Sequence, residues 1–112
     1  MLDPVAGSLE RYMDLLAARQ KLVASNIANA ETPGYRTVDI DFESEFRSLV
    51  EGGQPRVVEV AGLEVNHDGN NVSLDREARM LAENGLRFDV AETLLKSQVQ
   101  SVREAISGGG GG

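Results

Sequence analysis

Residues 73–107 read SLDREARMLAENGLRFDVAETLLKSQVQSVREAIS, and within them Leu74, Leu81, Phe88, Leu95 and Val102 recur at a spacing of seven. Ala78, Val99 and Ile106 widen the stripe. Five heptad positions in register predict one long helix that packs on another helix. Ser73 stands where its hydroxyl can accept a hydrogen bond from a free first-turn amide, and Asp75 and Glu77 place negative charge at the positive end of the helix dipole. Asn84-Gly85 is the weak point, since glycine costs about 1 kcal/mol against alanine inside a helix, and a bend is expected there if anywhere. The five closing glycines, 108–112, are expected to form a flexible end that cannot hold a helix.

A matching stripe lies at the other end of the chain. Leu9, Met13, Leu16, Val23, Ile27 and Ala30 recur at steps of three, four and seven, with Gln20 the only polar break. Asp3-Pro4 supplies a capping carboxylate and a proline suited to the first helical position. At Thr32-Pro33-Gly34-Tyr35 the proline disfavours helical geometry at Thr32, and the Pro-Gly pair fits the centre of a type II turn, with Gly34 at positive φ. The helix should therefore end by about Ala30. Asn26 and Asn29, three apart on the flank of the stripe, carry amides able to hydrogen-bond across an interface. Tyr35 is placed to anchor the chain where it leaves the helical layer.

Between the two stripes the helical period disappears. Gly52-Gly53, Pro55, Gly62 and the run Asn66-His67-Asp68-Gly69-Asn70-Asn71 read as loop and turn. Val57-Val58-Glu59-Val60 favours extended backbone, and Leu63 and Val65 continue the alternation across Gly62, which predicts a short β-hairpin about Ala61-Gly62. The expected fold is mainly α, with the terminal helices packed as an antiparallel, coiled-coil-like pair. Its divisions are an N-terminal helical segment 1–31, a turn and irregular acidic middle 32–72, a C-terminal helix 73–107 and the tail 108–112. A chain of 112 residues suffices for one small domain.

The formal net charge is -7, which disfavours nonspecific attraction to nucleic acid or anionic membrane. The acidity is concentrated: residues 1–34 hold four acids and three bases, residues 35–72 eight and three, residues 73–112 six and five. Near-neutral helices can pack side by side, while the acidic centre is expected to stay solvated or to meet a basic partner. No cysteine is present, so disulfides and thiolate metal sites are excluded. No basic and apolar leader and no long apolar run predict secretion by the general route or a membrane span.

Chemistry is sparsely represented. His67, the only histidine, adjoins Asp68 but sits among turn-forming residues and reads as a solvated loop side chain. Asp39, Asp41, Glu43 and Glu45 alternate without the turn glycine and terminal acid of a calcium loop, and read as a solvated acidic face. No glycine pattern matches a phosphate cradle. No catalytic, cofactor-binding or metal-binding residue is therefore assigned.

The segment from Ala24 through Ser25-Asn26-Ile27-Ala28-Asn29-Ala30-Glu31 to Thr32-Pro33-Gly34-Tyr35 resembles the N-terminal signature of the bacterial flagellar axial family of rod, hook and hook-associated proteins. Asp39-Ile40-Asp41-Phe42, the run from Val72 to Asn84 and the absence of an inserted domain are similar to the short proximal-rod members. Lys96 to Glu104 is less basic than that pattern leads one to expect, and Gly85 and the glycine tail depart from it. The resemblance implies a structural subunit of the rod that leaves the cytoplasm through the flagellar type III apparatus without a cleaved signal peptide and orders on assembly. The implied partners are other rod proteins (FlgC-like and FlgF-like), a FliE-like adaptor, the export gate and further copies in a helical lattice. It also implies that Asn26, Ile27, Asn29, Thr32, Pro33, Gly34 and Tyr35 serve assembly. Leu9, Met13, Leu16, Val23 and Ile27 would then pack with Leu74, Leu81, Phe88, Leu95, Val99 and Val102. A cytoplasmic type III export chaperone or adaptor, also small, acidic and helical, is the alternative.

Overall fold

The computed structural model describes residues 4–47 and 55–110, so the Asp3 cap and the Gly52-Gly53 pair lie outside the described residues. Helix α1 spans Pro4–Ala28, strand β1 Val38–Ile40, helix α2 Phe42–Arg47, strand β2 Val57–Glu59 and helix α3 Leu74–Gly110. Pro4 opens α1 as expected of a residue whose missing N–H is not needed there. The helix stops at the Thr32–Tyr35 turn, where Tyr35 N donates to Thr32 O at 3.2 Å and Gly34 has φ of 77°. That positive φ at the third turn residue is the type II geometry, which a side chain would oppose. Ser73 caps α3, its Oγ accepting from Arg76 N at 3.2 Å and its carbonyl from Glu77 N at 3.0 Å.

The fold is mainly helical, as the stripes predict. Helices α1 and α3 pack antiparallel: Asn26 meets Glu77, the Leu16 carbonyl meets Asn84, and Tyr12 lies beside Arg87. The buried apolar residues among those described are Ala6, Leu15, Leu16, Val23, Ile40 and Ala91, a small core. The molecule is a rod of 71 × 25 × 18 Å.

Three expectations are corrected. The antiparallel pair forms in the middle segment, but β2 pairs with β1 (Val38 opposite Glu59, Ile40 opposite Val57) rather than folding back through Leu63 and Val65. Packing decides this: β1 lies against α1, where Ile40 is buried, whereas Val65 stays exposed. Second, α3 runs unbroken through Asn84-Gly85 and on to Gly110, three glycines into the run expected to be free of helix. Propagating a helix that is already nucleated adds one hydrogen bond per residue, which offsets part of each glycine's cost. Third, the alternating carboxylates are not one solvated face. Asp39 lies in β1 and is buried, whereas Glu43 and Glu45 ride on α2.

Candidate functional site

The chain's polar side chains converge where α1 ends, β1 begins and α3 starts. Asn26 on the last full turn of α1 is completely buried and makes four hydrogen bonds. Its Nδ2 donates to Val38 O at 2.8 Å and to Glu77 Oε1 at 2.7 Å, and its Oδ1 accepts from Val38 N at 3.1 Å and from the Tyr35 hydroxyl at 2.9 Å. One side-chain amide thus serves both backbone groups of a strand residue, as a neighbouring strand would. Tyr35 anchors the outgoing chain through this bond, and Ser25 Oγ lies 3.3 Å from its hydroxyl.

Beside Asn26 sits a closed set of four charges. Arg19 grips Asp39 with two nitrogens, Nε to Oδ1 at 3.0 Å and Nη2 to Oδ2 at 2.8 Å. Arg76 bridges the two carboxylates, Nη2 to Asp39 Oδ2 at 2.9 Å and Nη1 to Glu77 Oε2 at 2.6 Å. Burial works against the Arg76 charge, but hydrogen bonds and attraction from Glu77 and Asp39 outweigh it and hold its pKa above the ordinary arginine value. The other face of Arg19 lies over the Phe42 ring, 5.1 Å from its centroid, and Tyr12 meets that ring edge-on at 5.8 Å. Two positive and two negative groups balance, which a buried set requires.

The asparagines of the loop complete the junction. Asn70 is buried and its Nδ2 donates to Asn29 O at 2.9 Å and Thr32 O at 2.8 Å, adding a second bond to each carbonyl of the turn that follows α1. Asn71 Oδ1 accepts from Thr37 N at 2.6 Å, and Asn71 N donates to Tyr35 O at 3.2 Å. Gly69, at φ of 88°, brings this loop against the Pro-Gly turn: a Cβ there would lie 3.3 Å from Gly34 Cα. Asn29 turns back on its own helix end, Nδ2 to Ser25 O at 2.9 Å, and accepts from the Thr32 hydroxyl at 3.0 Å.

Of the signature residues, Asn26 and Tyr35 enter the junction, Asn29, Thr32, Pro33 and Gly34 form the helix stop, and Ile27 faces solvent. Of the two stripes, Leu16 and Val23 are buried, and Leu9, Met13, Phe88, Leu95 and Val99 half-buried. Leu74 is 56% exposed, Leu81 42% and Val102 40%. Val102 lies beyond the start of α1, and Leu74 and Leu81 stand about 60° around the helix from Glu77 and Asn84, which face α1. The stripe is therefore best covered at its centre. Sequence reading passed over Arg19, Asp39, Asn70, Asn71, Arg76, Glu77 and Asn84 as participants, since no spacing along one helix reveals a partner on another element.

An open groove of about 760 Å³ beside the start of α1 is lined by the apolar Pro4, Val5, Leu9, Tyr12 and Phe42 and by the polar Ser8, Glu43, Arg47 and Arg87. Among the described residues no group of His, Asp and Glu could hold a metal, and no helix is long and apolar enough to cross a membrane. His67 is exposed in its turn.

A paired-helix rod with a neutralised polar junction and an incompletely covered apolar stripe defines an assembly subunit. Residues 13–36, from the middle of α1 through the turn, match the model of a family described as flagella basal body rod protein. Flagellar basal body rod protein FlgB of Salmonella typhimurium is 33% identical, over 97% of this chain and 99% of that protein. FlgB of Escherichia coli K12 is 30% identical at the same coverage, and FlgB of Yersinia enterocolitica 30% identical over 97% of this chain and all of its own. The chain belongs to the FlgB family of flagellar basal body rod proteins, which are structural components and not enzymes.

Proposed function

We propose that this rod subunit occupies the proximal rod and carries torque through packed helices. In this reading it leaves the cytoplasm by the flagellar type III apparatus without a cleaved signal peptide. FlgC-like and FlgF-like rod proteins, a FliE-like adaptor at the export gate and further copies in a helical lattice are its neighbours. The carrying observation is the apolar heptad of α3, which its own chain covers at the centre and leaves open at Leu74, Leu81 and Val102. Neighbouring subunits cover those ends, and the contact repeats in an open lattice.

Ordering on assembly fits the shape. The radius of gyration is 18.5 Å, against about 13 Å for a compact chain of this length, and the small core gives the isolated chain a narrow stability margin.

Single cysteines at Leu74, Leu81 or Val102 test the reading cleanly, because the chain has no cysteine of its own. In isolated basal bodies each is expected to crosslink to an adjacent subunit. Recovery only in the cytoplasm, as for an export chaperone, or intact rods without any crosslink, overturns it.

A further inference from the structure

The face that α3 turns toward α1 is not its most apolar one. Glu77, Asn84 and Ala91, spaced by seven, are buried, while Leu74 and Leu81, three residues before Glu77 and Asn84, remain about half exposed. Three residues correspond to about 60° around a helix. A turn of α3 by that angle about its own axis would bury two leucines and return a carboxylate and an amide to water. Both changes favour the turned arrangement on transfer grounds, so specific contacts must oppose it.

Two of those contacts sit on the first and third turns of α3, beside the Arg76–Asp39 pair and the contact of Arg87 with Tyr12. Glu77 is held by Asn26 at 2.7 Å and by Arg76, itself tied to Asp39. Asn84 Nδ2 donates to Leu16 O at 2.8 Å and to Gln20 Oε1 at 3.1 Å across the helix pair. Its Oδ1 is buried with no hydrogen-bond partner, a cost that an apolar residue at the same place would avoid. Asn70 and Asn71 act before the helix begins and do not choose the face presented three turns on.

We infer that Glu77 and Asn84 are positioning residues that fix the rotation of α3 and keep Leu74 and Leu81 facing outward, where, on the rod reading above, a neighbouring subunit meets them. A buried polar pair that sets orientation at some expense of stability has its best-attested parallel in the single buried asparagines of coiled coils.

Thiol reactivity of a single cysteine placed at Leu81 or at Ala91 in the full chain reports the rotation. In the parent, Cys at 81 reacts quickly and Cys at 91 slowly. In the Glu77→Ala/Asn84→Ala background the first is expected to slow by about tenfold and the second to accelerate by about tenfold. Glu77→Gln, which keeps an acceptor for Asn26, is expected to retain the parental order. An unchanged order in the double variant, or fast reaction at both positions because α3 has left α1, overturns the inference. Incorporation of the double variant into rods is scored separately. A turned α3 that still incorporates normally leaves the positioning role standing and overturns the outward face as a subunit contact.

Discussion

Asn26 supplies two donors and an acceptor to partners 12 and 51 residues away. Truncating it leaves the Val38 amide without a partner inside the protein and deprives Glu77 Oε1 of its donor. Each abandoned buried group costs about 1–3 kcal/mol, so Asn26→Ala is expected to remove about 2–4 kcal/mol of stability in urea unfolding of the monomer. Asn29→Ala should cost about 1 kcal/mol, as for the loss of a helix-end contact in a wetter place. Equal costs would remove the distinction between the two amides. From sequence both asparagines read alike, as amides able to bridge an interface. What separates them is the strand and the second helix folded against Asn26, and periodicity along α1 carries no information about either. The charges tell the same story: Asp39 looks like one member of a solvated acidic run until Arg19 and Arg76 close on it.

At the scale of elements, the features written in local chemistry are those that the sequence discloses. Ser73 caps α3, Pro33-Gly34 ends α1, and the heptads of Leu74 to Val102 announce a long helix. Pairing between elements is not local. Strand β1 takes β2 as its partner across α2, and no turn signature joins them because they are not consecutive in a hairpin. The stripe likewise specified that α3 has a partner without specifying which part of the stripe faces it. Gly85 tests the local side of this account. Helix α3 passes through it without interruption, its φ is not positive, and a Cβ there would meet nothing within 4 Å. Gly85→Ala is therefore expected to stabilise the monomer by about 1 kcal/mol through helix propensity alone, raising the thermal midpoint by about 4–8 °C in a circular dichroism melt. A lowered midpoint would show that the helix needs glycine's freedom at that point.

At the scale of the whole molecule, the two helices are unequal. The 25 residues of α1 span about 38 Å and the 37 of α3 about 56 Å. The contacts of Asn26 with Glu77, Leu16 with Asn84 and Tyr12 with Arg87 align them so that Pro4 lies near residue 95 of α3, and the last turns of α3 project beyond the start of α1. Every described side chain from Gln100 to Gly108 is exposed, Val102 and Ile106 included. A helix end with no intramolecular cover adds little to the stability of its own chain. Removing residues 101–112 is thus expected to shift unfolding of the monomer by no more than about 0.5 kcal/mol, as for surface changes generally. On the proposed rod reading the same truncation should exclude the subunit from rods, because it removes apolar positions that the chain itself leaves exposed. The two measurements, a urea midpoint and recovery in purified basal bodies, bear on different links. A large loss of stability would mean that the projecting end packs on its own chain. Normal incorporation would mean that the outward turns of α3 are idle in the rod and that its contacts lie nearer the junction.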